Sequence, residues 1–140
     1  MLWFDLVFDV QTRGHTGELL PPEVLTSSAY YWRVTTEAFP MNRLVSSVMA
    51  LTLVATCAQI YEGKTRWWVG WGTLVIMAAG VALTLTRTVP NAVRLGSAAD
   101  TLAVQTELAR AIYSDHAFAF GRTLLLLLLQ LGAASRLLAR

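Results

Sequence analysis

The chain has 140 residues, of which 55% are hydrophobic and only 14% charged, with a formal net charge of +2; its mean hydropathy is +0.50. A soluble domain carries roughly a quarter charged residues, so the composition points to a single membrane domain. The small, scattered charge excludes a nucleic-acid binder. The one cysteine, Cys57, excludes an internal disulfide, a CxxC redox centre and a cysteine-cluster zinc site.

Residues 2–10, LWFDLVFDV, are apolar but too short to cross a bilayer. No basic stretch precedes them and no small-residue cleavage site follows, which argues against a signal peptide. Two readings stand: residues 1–11 are the outer end of a membrane helix whose start is missing, or a short interfacial anchor. The first is preferred, because the segment enters polar sequence as though it had already crossed. Asp5 and Asp9 sit one helical turn apart and share a face. Gly14, Gly17 and the Pro21–Pro22 pair mark a loop. Residues 23–38 are expected to form a short helix on the membrane interface, where Tyr30, Tyr31 and Trp32 suit the headgroup zone. Pro40 ends it.

Residues 43–61 make a spanning helix rich in small and hydroxylated side chains that allow close packing. The tight connection 62–66 returns the chain antiparallel into a second span, 67–86, with Trp67, Trp68 and Trp71 as an aromatic belt. Pro90 breaks or kinks the chain near the membrane edge. Residues 97–116 form a polar helix, with Ser97 as its N-cap and Leu102, Leu108 and Ile112 on a modest apolar face. That helix runs into the last span, 117–138. The short side of the chain holds Lys64, Arg66, Arg136 and Arg140 against Glu62 alone, which places the C-terminus in the cytoplasm of a bacterial cell.

The last helix carries a polar seam. His116, Thr123 and Gln130 fall seven residues apart, and so do Asp115 and Arg122, so all five share a narrow stripe that belongs against other helices or a wet cavity. Asp115 and Arg122 are placed to pair along that stripe. His116 suits a general base or proton relay, against the plainer role of a ring satisfied by Asp115 or a backbone carbonyl. Arg87, Asn91 and Arg94 line one face if Pro90 only kinks the helix. If the first segment joins the bundle, Asp5 and Asp9 are either charge partners for these arginines or a proton and cation site, the partner reading being preferred. The second histidine, His15, reads as plain surface. The two histidines share no local spacing, so no metal or haem site and no cofactor is expected. No nucleotide-binding, hydrolase or metalloprotease motif is present, and the absence of repeated halves disfavours a transporter.

Pro90, Asn91 and Arg94 after a membrane helix, then a polar helix, then His116 and Arg122 entering the final span, resemble the anthrone-oxygenase-like family of small four-helix membrane proteins. The likeness covers roughly residues 40–138. It implies a four-helix membrane fold, and in some members a cofactor-free oxidation of polyketide anthrones, with Asn91, Arg94, His116 and Arg122 at the site. The chain departs from the family at its N-terminus, where a full first span is missing, and in having no Trp–Asn pair near 113–116.

The expectation is an all-α integral membrane bundle: three spans, a partial fourth and an interfacial helix. An outward polar pocket is built from Asn91, Arg94, Asp115, His116 and Arg122, with Asp5 and Asp9. Two functions stay open. One is binding or oxidation of a hydrophobic small molecule; the other is an accessory or assembly role with other membrane subunits or a second copy of the chain.

Overall fold

The structure is a computed structural model that describes residues 2–37, 39–63 and 66–138, without the side chains of 2–4, 41, 42, 45 and 133–138. Lys64, Arg140 and the side chain of Arg136, which carry much of the orientation argument, lie outside the described residues, as does Ala38, the expected end of the interfacial helix. Between short connections the described chain is helical: α1 (Leu2–Asp9), a 3-10 turn (Val10–Thr12), α2 (Pro22–Glu37), α3 (Met41–Tyr61), α4 (Trp67–Leu83), a π segment (Thr84–Thr88), α5 (Val89–Ser97) and α6 (Leu102–Leu138).

One end of the molecule has an ordinary hydrophobic core. Pro22 opens α2, where its missing N–H is no loss. The carbonyl of Pro21 accepts from Val24 and Leu25. Leu25, Ser28, Ala29 and Trp32 recur at helical spacing and are buried. Leu25 and Trp32 pack with Ala92 and Leu95 of α5 and with Leu108, Ala109 and Ile112 of α6. The 13–21 loop is strapped onto α6: Leu20 N–H donates to Thr106 Oγ1 at 3.2 Å, and Arg110 Nη2 donates to the Gly17 carbonyl at 2.5 Å.

The other end is apolar outside as well as inside. Leu51 is 68% exposed and Leu128 58%, with Val54, Val75, Leu124 and Leu125 similarly uncovered. Helices that are hydrophobic all round belong in a lipid environment or a larger core. Two helices are long and apolar enough to cross a membrane, the continuous Trp67–Ser97 and Leu102–Gly132, while α3 offers a shorter apolar stretch, Ser46–Tyr61.

Three expectations need correction. Pro90 does not end its helix; the chain widens one turn earlier, where Val89 N–H donates to the Thr84 carbonyl across the π segment, and Pro90 then enters in the first turn of α5. A proline ring collides with the carbonyl four residues back in a regular helix, and the wider turn relieves that contact. Secondly, α2 does not present its aromatic cluster to a headgroup zone. Trp32 is 6% exposed and sits in the core, Tyr31 is half-buried, and of the three only Tyr30 is exposed. Thirdly, Ser97 does not cap the last helix. It ends α5, Ala98 turns the chain through the left-handed region at φ 51°, and Thr101 Oγ1 accepts from Val104 N–H at the start of α6. From there α6 runs unbroken for 37 residues, joining the polar stretch to the apolar one.

Candidate functional site

The two ends meet around His116. Its Nδ1 lies 2.8 Å from Asp9 Oδ2, and both side chains are buried. Where Asp9 is ionised its carboxylate only accepts, so that Nδ1 carries the hydrogen and Nε2 is the ring position left for other work. Trp32 lies parallel to the imidazole, centroids 5.2 Å apart and planes within 2°, and fixes the plane of the ring. The carboxylate comes from α1, the ring from α6 and the indole from α2, so three distant stretches of sequence converge on one imidazole.

Asp5 and Asp9 share a helix face, and the structure gives each its own partner. Tyr31 donates its hydroxyl to Asp5 Oδ1 at 2.5 Å, and Phe8 stacks on Tyr31 with centroids 4.2 Å apart. Burial first, then the Asp5 hydrogen bond and charge, hold the Tyr31 phenol well above its ordinary 10.0.

Asp115 does not pair with Arg122. Its Oδ2 accepts from Thr88 Oγ1 at 3.2 Å and meets Arg87 Nε at 3.3 Å. Seven residues along a helix separate Asp115 and Arg122 by about 10 Å of rise, whereas the π segment delivers Arg87 and Thr88 directly alongside. Arg122 instead lies across α4 at Gly80: a Cβ placed on Gly80 would collide with the Arg122 guanidinium, so glycine leaves it room in this position. Among the described residues Arg122 has neither an ion pair nor a hydrogen-bond partner.

Asn91 and Arg94 leave the group. Asn91 lines none of the three cavities described here. The Arg94 side chain is 57% exposed and forks onto Asp100, Nε to Oδ2 at 2.8 Å and Nη2 to Oδ1 at 2.9 Å. That hydrogen-bonded fork keeps the Asp100 carboxyl below its ordinary 3.8. Arg94 is turned to the surface and Asn91 is only partly buried at the flank, because the face of α5 packed inward is that of Ala92, Leu95 and Gly96, with Gly96 against the Arg33 backbone of α2.

The remaining groups border a partly open cavity of about 630 Å³ lined by α1, α3, α4, the π segment and α6. Asp5, Asp115 and Arg122 supply its charge, His116 its imidazole, Thr84 and Thr88 its hydroxyls, and Leu44, Val48, Met49 and Leu83 its apolar wall. A smaller cavity of about 260 Å³ reaches His116 from beneath α2, past Trp32. A third, of about 490 Å³, continues beyond Arg122 towards Gln59 and Gln130. An apolar cleft of about 300–1,000 Å³ with a few convergent polar groups is the ordinary form of a small-molecule site. His116 and Asp9 are engaged with each other, and among the described residues no three metal-ligating side chains come together.

Sequence reasoning missed Trp32 and Tyr31 as site residues, because their positions depend on where α2 docks. Gly80, within the 67–86 span, accommodates the Arg122 side chain. Compared with family models, with curated proteins and with solved structures, the chain gives no match.

Proposed function

We propose that the chain is an integral membrane protein, with α3, α4 and the apolar half of α6 crossing the bilayer and the 62–66 turn and C-terminus in a bacterial cytoplasm. Its 630 Å³ cavity takes a hydrophobic small molecule that bears a carbonyl or phenolic oxygen. Arg122 holds that oxygen and His116, oriented by Asp9 and Trp32, moves a proton. The observation that carries this reading is the pairing of an imidazole tied to a buried carboxylate with a guanidinium that has no partner among the described residues, both in the wall of one largely apolar cavity. A charged donor held over apolar surroundings is suited to a developing oxyanion.

The resemblance to the anthrone-oxygenase-like family suggests one ligand class, a polycyclic anthrone. Removal of its acidic ring proton by His116 leaves an anion stabilised at the oxygen by Arg122. Dioxygen then oxidises that anion: one of its oxygen atoms becomes the new carbonyl and the other leaves in water, with no bound cofactor required.

The test is titration of the purified protein in nanodiscs with 1,8-dihydroxyanthrone, read by tryptophan quenching and by quinone absorbance. Arg122→Gln is expected to weaken binding by about tenfold or more, the weight of one hydrogen bond to a charged group, ~1.5–3 kcal/mol. His116→Gln should bind but not convert. Unchanged binding in Arg122→Gln overturns the proposal. A second reading, an accessory subunit, takes support from α3, on which Thr56 is the one buried side chain among those described. Loss of a co-purifying membrane protein in both variants, with no ligand response in the parent, favours that reading.

A further inference from the structure

The cavity beyond Arg122 differs in character from the one beside His116. It is walled by α3, α4 and α6, and among its described lining residues Arg122 is the one charged side chain. Four hydroxyls border it in a ladder, Thr52, Thr56, Thr84 and Thr123. Each donates its own hydrogen to a carbonyl one turn back, at 2.7, 2.8, 2.9 and 2.8 Å. Their remaining lone pairs are free to accept. Thr73, buried on the same wall, has no hydrogen-bond partner among the described residues, and neither do Gln59 and Gln130, which line the end away from His116.

An apolar slot between membrane helices has no use for this set. Unpartnered amides, an unpartnered hydroxyl and an unpartnered guanidinium all facing one space describe a space that holds water. The polarity is also directional: acceptors line the wall, and the strongest donor group stands at the inner end. A single positive charge in a narrow cleft with low-dielectric walls concentrates anions there.

We propose that this cavity is a water-filled vestibule, open at the Gln59–Gln130 end, which draws small hydrophilic anions to the Arg122 guanidinium from the side opposite His116. The guanidinium has five N–H donors, enough to serve an oxygen in front and an anion behind. Gly80 is the seat that keeps it between the two chambers. This inference rests on the membrane reading above but not on the identity of the organic ligand.

Cysteine accessibility tests it. In a Cys57→Ala background reconstituted into liposomes, Thr73→Cys is treated with a negatively charged ethylsulfonate methanethiosulfonate and with its positively charged trimethylammonium counterpart. Each rate is normalised to a free thiol. Thr73 lies six residues into α4, about 9 Å along the helix from its start, and Leu128→Cys serves as the outward-facing control. Thr73→Cys is expected to react while Leu128→Cys does not. The anionic reagent should be favoured by about tenfold, and adding Arg122→Gln should abolish that preference. Equal silence at both positions shows a dry cavity and overturns the proposal. Equal reaction at both positions overturns the membrane reading beneath it. Reaction at Thr73→Cys without charge preference removes the anion site and with it the proposal. The Thr73→Cys protein is near-isosteric with the parent, and an unchanged gel-filtration profile in detergent confirms that it has folded.

Discussion

Gly80 and Gly96 are a matched pair whose alanine variants are expected to behave oppositely. On Gly96 a new Cβ would lie 2.9 Å from Arg33 N and 3.0 Å from Arg33 Cα, both backbone atoms of α2, whereas ordinary contact begins at 3.4 Å. Helices α2 and α5 must therefore part by 3.4 − 2.9, or about 0.5 Å, along the seam that also buries Ala92 and Leu95. Overpacking of this kind costs about 1–3 kcal/mol, and the better helix propensity of alanine returns about 1 kcal/mol. On Gly80 the collision is with the tip of a flexible side chain, which can swing aside, so the propensity gain survives and only the position of Arg122 is lost. The two variants should differ by about 1–3 kcal/mol, or ~3–9 °C in melting temperature for a chain of this size. Gly96→Ala is the weaker of the two. The assay is thermal unfolding in detergent, followed by near-ultraviolet circular dichroism. If Gly96→Ala melts at or above Gly80→Ala, the close approach of α5 to the Arg33 backbone is not what fixes these helices, and the reasoning fails.

Asp9→Ala leaves the buried Nδ1 of His116 without its acceptor and should cost about 1–3 kcal/mol; Asp9→Asn keeps an oxygen there and should cost less than half as much, both read from detergent melts. Tyr31 has its phenol held above the ordinary 10.0, so its contribution to stability is complete below that pH and is lost as the solution becomes more alkaline. Difference absorbance at 295 nm (~) between the parent and Tyr31→Phe should show no ionisation step at pH 10.0; a full one-tyrosine step there would contradict the buried contact with Asp5. Asp100 is shifted the other way, below 3.8, so its interaction with Arg94 is present above that pH and disappears as acid carries the solution down through the depressed value. Because the pair is exposed, the effect is small and salt-sensitive; the carboxyl titration of Asp100 followed by nuclear magnetic resonance should move back towards 3.8 in Arg94→Gln.

Much of the frame was legible in the sequence because the signals behind it are local. The apolar blocks at 67–83 and 117–132, the proline that opens α2 and the continuous run from polar to apolar helix in α6 need only neighbours in the chain. The seven-residue spacing of Asp115, His116, Arg122, Thr123 and Gln130 was sufficient to put Arg122, Thr123 and Gln130 along one cavity, since helical periodicity survives any docking arrangement. The pairings were not legible. Asp115 chose Arg87 over Arg122 because a π turn, which has no clear sequence signature here beyond the nearby Pro90, brought α4 and α6 into a different register. Arg94 left the pocket because Asp100, six residues on, is within reach across the α5–α6 turn. Trp32 and Tyr31 looked like interfacial aromatics because a Tyr–Tyr–Trp–Arg string has that composition. Which face of α2 is covered depends on α5, more than fifty residues away in the chain.

The widened turn at Thr84–Thr88 makes the long α4–α5 rod two differently aimed halves. One surplus residue rotates everything after it by roughly 100° relative to an unbroken coil. The half before it therefore addresses α3 and α6 with Thr73, Met77 and Gly80, and the half after it addresses α2 with Ala92, Leu95 and Gly96. Deleting a single residue here would leave the rod straight and its composition almost untouched. It would also swing Leu95 away from its neighbours and carry Thr88 off Asp115, uncoupling the two ends of the molecule at one stroke.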